Sequence, residues 1–170
     1  MCDSTLYPFK NLPDFCRCIV AMSNPAVSVF TPDPDFFYET VYTVAPDDID
    51  RLQHMNNTVY LRLMEMLAWV HSQILGISAD DFVRLGAGMA VRQHEMNYLA
   101  ALLEGEEVRL QTWIGREQKT PLQMHRYFRF IRTRDEKVVF EGRSHYVCIH
   151  LESGRPQRMP PEFRTAYGVK

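Results

Sequence analysis

Nowhere does the chain offer the roughly 18 consecutive uncharged apolar residues of a membrane span, so the sequence predicts no transmembrane segment. The amino-terminal stretch also lacks the apolar core of a signal peptide, because Lys10, Asp14 and Arg17 interrupt very short apolar runs. Cysteines spaced Cys-x-x-Cys are missing. The four present are Cys2, Cys16, Cys18 and Cys148, and a closest spacing of Cys-x-Cys does not fit zinc or thioredoxin-like sites. Free thiols and a cytoplasmic location are the expectation. Charge of one sign is scarce too: 19 Lys and Arg face 21 Asp and Glu, for a net charge of -2 and a pI near 6.3. Such a balance gives no field to gather a polyanion, which argues against nucleic acid as a partner. It does not bear on a single small anionic ligand, which needs only a local cluster of Lys and Arg. His94, His125, His145 and His150 are scattered without ligand spacing, so neither a metal nor another cofactor is expected. Internal repeats and low-complexity segments are absent.

What the 170 residues do contain fits one domain with one core, and 46% hydrophobic with 24% charged residues is an ordinary globular composition. Residues 1–35 hold Pro8, Pro13, Pro25, Pro32 and Pro34 without any period and read as a loosely ordered extension. Met22 is a candidate true start within it. The folded domain is expected over residues 36–170. Its first element is a strand over Phe36–Val44, where Glu39, Thr40 and Thr43 interrupt apolar residues as on a half-buried strand. The segment from Ala45 to Asn57 is rich in Asp, Asn and Pro and reads as a loop leading into a helix. That helix, Thr58–Gly76, is free of Pro and closed by a Gly suited to its end. Its apolar residues surround nearly the whole circumference, which predicts burial on most sides, under a wrapped sheet. A helical turn near Ala79–Leu85 follows, then strands near Met89–Leu99, Glu107–Arg116, Gln123–Arg134 and Val138–Leu151. Turn residues at Glu104-Gly105, Lys119-Thr120-Pro121 and Asp135-Glu136-Lys137 suggest a four-strand antiparallel meander.

The densest chemistry lies in Asp48-Ile49-Asp50-Arg51-Leu52-Gln53-His54-Met55-Asn56-Asn57, just before the helix. Two carboxylates, an imidazole and two amides in ten residues have a plain structural reading, since Asp and Asn favour turns and Asn57 suits an N-cap. They also have a catalytic reading. A helix N-terminus presents free amides and a positive dipole end that can hold an oxyanion, a carboxylate can attack or activate water, and an imidazole can move a proton.

The pattern D-x-D-x-x-Q-H-M-N-N-x-x-Y-L resembles the signature of the 4-hydroxybenzoyl-CoA thioesterase-like hotdog family, and Gln53-His54 with Asn56-Asn57 resembles the acyl-ACP thioesterases still more. The resemblance covers roughly Phe36–Phe163. It implies an α+β hotdog fold, a long central helix wrapped by a five- to six-stranded antiparallel sheet, assembled as a homodimer or homotetramer with active sites between protomers. It implies hydrolysis of an acyl-CoA or acyl-ACP thioester, with Asp50 as nucleophile or general base, His54 polarising the thioester, and Asn57 with the first-turn amides as carbonyl-side donors. Glu95 or Asn97 falls near a second acidic position used in part of the family, and the two share one face of a strand. Asn56, Thr58, Tyr60, Asn97 and Arg143 are the substrate-binding candidates, Arg143 together with Arg155 and Arg158 as possible contacts of CoA phosphates. The Gly found before the His in much of the family is Gln53 here, and Leu52 replaces an Asn of the acyl-ACP branch and cannot hydrogen-bond through its side chain. A non-catalytic acyl-thioester or acyl-carrier binding module is therefore the alternative, and a hotdog hydratase a third. Glu65 and His71 on the helix are expected in hydrogen-bonded core roles. Tyr60, Met64, Trp69, Tyr98, Phe128 and Phe130 are expected mostly in the core, a few lining an acyl tunnel.

Overall fold

The structure, a computed structural model, describes residue 32 and residues 34–115 and 120–169. The proline-rich extension, the candidate start at Met22, and Cys2, Cys16 and Cys18 lie outside the described residues. Strand β1 (Phe37–Thr43) turns Tyr38 and Tyr42 toward the core, where both pack on its larger cluster. Helix α1 (Asn57–Ile74) begins at the Asn56 N-cap and stops at Leu75, after which Gly76 adopts a φ of 90°, a conformation that costs glycine nothing. Helix α2 (Ala79–Arg84) is capped by Ser78, whose side chain and that of Asp81 exchange hydrogen bonds with each other's backbone amide.

Strands β2 (Ala87–Tyr98), β3 (Glu107–Ile114), β4 (Gln123–Arg132) and β5 (Lys137–His150) join β1 in one antiparallel sheet ordered β1-β3-β4-β5-β2. This corrects the meander in one respect. β3, β4 and β5 are consecutive neighbours, but β2 pairs with β5 at the far edge, with Met96 opposite Gly142. The turn at Glu104-Gly105 marks a change of direction, and turn residues carry no information about which strand lies beside the next one.

Across the sheet's inner face, α1 contributes Val59, Tyr60, Leu63, Met64 and Leu67 to a cluster with Leu110, Phe128, Phe130 and Phe140. A fully buried side chain of this size contributes about 1.5–3 kcal/mol. A second cluster gathers Ile77, Met124, Cys148, Phe163 and Tyr167. The last two belong to a short helix α3 (Pro161–Ala166) and the residue after it, which six residues are too few to announce by periodicity. The expectation that α1 is buried on most sides does not hold within one chain. Leu61, Met66, Trp69 and Ile74 are 39%, 38%, 44% and 61% exposed, because the sheet covers one face of the helix only.

Candidate active site

Residues 49–55 form a tight loop pinched by a bridge between Ile49 and Met55. The Asp50 N–H donates to the His54 carbonyl at 2.9 Å and the Gln53 N–H donates to the Asp50 carbonyl at 3.0 Å, so Asp50 and His54 meet at the loop's neck. Gln53 sits at φ 63°, the left-handed region, which gives a physical reason for glycine in much of the resembled family. The Asp50 Oδ1 accepts the Leu52 N–H at 2.7 Å, fixing the half-buried carboxylate in the turn. The half-buried His54 imidazole makes no hydrogen bond or ion pair among the described residues, and is open to a ligand.

Asp48 ties this loop to the fold. Its carboxylate is 4% exposed, accepts the Tyr42 hydroxyl from β1 and the Ala45 N–H at 3.0 Å, and pairs with Arg62 on α1 at 2.5 Å. Its carbonyl accepts the Asn56 N–H at 2.8 Å, and the Met55 N–H donates to the Leu102 carbonyl at 2.8 Å. The loop is thus bolted to β1, to α1 and to the segment after β2.

At the start of α1 the cap is Asn56, where the sequence suggested Asn57. Asn56 Oδ1 accepts the Thr58 N–H at 2.9 Å and the Thr58 hydroxyl at 2.8 Å, and the Val59 N–H donates to the Asn56 carbonyl at 2.9 Å. Asn57 is the first helical residue, exposed, with its own N–H unclaimed among the described residues. One amide of the first turn, and not the whole turn, is thus left without an acceptor among the described residues, three residues after His54.

The structure does not bring the other candidates to this loop. Tyr60 is 2% exposed and packs between Tyr98, Phe130 and Phe140 in the core, where burial raises its pKa. Met96 faces the core, so its neighbours Glu95 and Asn97 share the opposite face of β2, turned away from α1. Arg143 lies there too, paired with Glu95 at 2.6 Å. Arg155 and Arg158 are exposed beyond β5. Glu65, expected in the core, is exposed, because it sits on the uncovered side of α1.

That uncovered side borders a cavity of about 460 Å³ between α1 and β2, walled by Leu61, Glu65 and Trp69 on the helix and Met89, Val91 and His94 on the strand. Its floor includes Arg126, a residue that the alternation of β4 points inward between Met124 and Phe128. Arg126 is 1% exposed, places Nη1 at 2.6 Å from His71 Nδ1, and donates from Nη2 to Ser72 Oγ at 3.3 Å. Burial and then the adjacent guanidinium push His71 down to about 3, so the imidazole is neutral and accepts from Arg126. His71 therefore occupies the hydrogen-bonded core role foreseen for it. Arg126 was not singled out from the sequence, although an Arg at an inward register between apolar residues is the signal that marks it.

A family model described as the thioesterase-like superfamily matches residues 44–167, most of the chain and the whole of the loop, α1 and the sheet from β2 onward. The chain belongs to that superfamily. Its fold is the hotdog thioesterase fold, as the solved structures it resembles also show. A DHNA-CoA thioesterase from Staphylococcus aureus is 19% identical with a TM-score of 0.70, over 78% of this chain and 89% of that one. A hypothetical protein from the same organism, solved in complex with CoA, is 16% identical with a TM-score of 0.72, over 83% and 85%. A 12:0-ACP thioesterase from Umbellularia californica is 16% identical with a TM-score of 0.70, over 78% of this chain and 49% of the other. Among the described residues no helix is long and apolar enough to cross a membrane, and no group of three His, Cys, Asp or Glu is placed to hold a metal.

Proposed function

We propose that this member of the thioesterase-like superfamily hydrolyses an acyl thioester, of coenzyme A or of acyl carrier protein, to the free acid and the thiol. The observation that carries the reading is one loop, leading directly into the amide end of α1, that carries a fixed carboxylate, Asp50, and an imidazole, His54, without a hydrogen bond or ion pair among the described residues. Asp50 activates the water that attacks the thioester carbonyl, or attacks it itself to give an anhydride that water then opens to the free acid, while the C–S bond breaks and His54 polarises the carbonyl or passes a proton to the leaving thiolate. The Asn57 N–H, reinforced by the helix dipole, meets the oxyanion, a contact worth about 2.7–4 kcal/mol in the barrier. The acyl chain then runs along Leu61, Glu65 and Ala68, one stripe of α1 at spacings of three and four, into the cavity beside β2.

The same side of the molecule supports a homodimer, or a tetramer built from such dimers. β2 is an edge strand of 12 residues, and Val91, 45% exposed on it, neighbours the exposed Leu61 and Trp69 of α1 around the cavity mouth. A long apolar edge of this kind is satisfied by pairing with a second copy, which would also close the groove. Sedimentation equilibrium that returns a monomer at micromolar concentration would remove this part of the reading. A reducing compartment such as the cytoplasm is supported by the spacing of the cysteines and by the free, buried Cys148.

A non-catalytic binding module is the second reading. What favours it is Leu52, 59% exposed beside Asp50 with no polar side-chain group, and the engagement of Asp50 Oδ1 by the Leu52 amide. A panel of acyl-CoA and acyl-ACP thioesters of increasing chain length, followed by free-thiol detection, separates the two. Thiol release well above the buffer rate for some of them is expected, and tight binding without release of thiol from any would establish the alternative.

A further inference from the structure

Of the charged side chains that line the cavity, Arg126 is the one buried without a counterion among the described residues. Arg126 is 1% exposed, its two hydrogen-bond partners among the described residues, His71 and Ser72, are neutral, and its buried Nε has none there. Arg62, Arg109, Arg129, Arg132 and Arg143 each have a carboxylate in salt-bridge reach. Burial already lowers the Arg126 pKa, and the groups that act on it electrostatically are the hydroxyls of Tyr146 and Tyr167. Holding an unpaired cation out of water costs several kcal/mol, and an arriving anion would recover much of that. Trp69, Phe82, Met89 and Val91 make much of the remaining wall apolar, and the other ionisable residues of the lining with a carboxylate or imidazole, Glu65 and His94, are exposed and are not among the groups that act on Arg126. One cation in an apolar cleft matches one negative charge on a hydrocarbon chain, whereas a phosphate dianion would stay half unpaired.

We propose that the cavity binds the carboxylate of an apolar chain, seated on the Arg126 guanidinium at the end of the groove remote from Asp50. Two sources carry this chemistry. One is an acyl group whose far end is itself a carboxylate, an assignment that rests on the thioesterase reading. The other is a free fatty acid, which does not. Along α1 the cavity lining runs from Leu61 to Ser72, about 16 Å of helix, and Asn57 lies one turn before it, which suits a long chain spanning both ends.

The test compares decanoate with decan-1-ol by titration calorimetry on the intact protein. Decanoate is expected to bind roughly tenfold more tightly, the increment of one charge-assisted hydrogen-bonded pair, and Arg126→Met is expected to abolish the difference. Exchange of an unpaired buried charge for an apolar side chain of similar length should preserve the fold, and the wild-type comparison stands without the variant. Equal affinity of the two ligands for the wild type overturns the proposal, as does a preference that survives Arg126→Met. A parallel arm compares hydrolysis of hexadecanedioyl-CoA and hexadecanoyl-CoA. A higher kcat/KM for the first assigns the carboxylate to the acyl group, and equal values with the decanoate preference intact assign it to a free acid. Thiol release without any carboxylate preference leaves the thioesterase reading standing and refutes this one. A carboxylate preference without thiol release does the reverse.

Discussion

Acidification from pH 7 to pH 5 should destabilise the protein through His71 in a way that His71→Gln removes. The imidazole is buried against the Arg126 guanidinium, and its pKa falls from 6.5 to about 3. Between those values the unfolded chain takes up a proton that the folded chain refuses. Stability contributed by the neutral imidazole is therefore complete above pH 6.5 and is lost as the pH falls toward 3, at up to about 1.4 kcal/mol per pH unit. From pH 7 to pH 5 the loss amounts to about 2 kcal/mol. Gln keeps an acceptor for Arg126 but does not titrate. Urea unfolding at pH 7, 6 and 5 should show the wild type losing about 2 kcal/mol more than His71→Gln over this range, with the carboxylates contributing equally to both. Parallel pH dependences, within about 0.5 kcal/mol, would refute the placement of a neutral imidazole against a buried cation.

Asp48→Ala should cost about 1–2 kcal/mol in denaturant unfolding, because it strands the half-buried Ala45 amide and Tyr42 hydroxyl, while the Arg62 pair, largely exposed on the Arg side, adds little. A cost under about 0.5 kcal/mol would show that the loop is not anchored there. Asn56→Ala should cost about 1 kcal/mol and Asn57→Ala much less, and the reverse order would return the helix cap to Asn57. Gln53→Gly should leave stability unchanged or raise it by up to about 1 kcal/mol, since it relieves a left-handed residue; a clear loss in thermal unfolding would point to a contact of the Gln53 side chain.

Elements governed by local patterning were readable in the chain. The bounds of β1 and α1 fall within a residue or two of their expected places, because β-branched alternation, the Asn-rich entry and Gly76 act locally. The partner of β2 was not readable, since nothing local distinguishes a hairpin from a crossing to the far edge. α3 escaped for want of length. In the site, the motif singled out Asp50 and His54, which meet in one loop, but strand register decided the rest. Glu95 and Asn97 do share a face, as alternation requires, but it is the outer one. Arg126 shows the same rule from the other side, an Arg placed inward by its register among apolar residues. The apolar circumference of α1 was read as burial within the chain, whereas its uncovered half borders the cavity and the free edge of β2.

In the proposed reaction the Asp50 carboxylate does chemistry at the amide end of α1. This role is tested most directly by kcat/KM of Asp50→Asn on the thioester that the wild type cleaves best, with unfolding curves recorded alongside. The account predicts a loss of at least about a hundredfold with stability within about 1 kcal/mol of wild type, since Asn retains the acceptor for the Leu52 amide. Turnover within about threefold of wild type by a folded Asp50→Asn protein would contradict it.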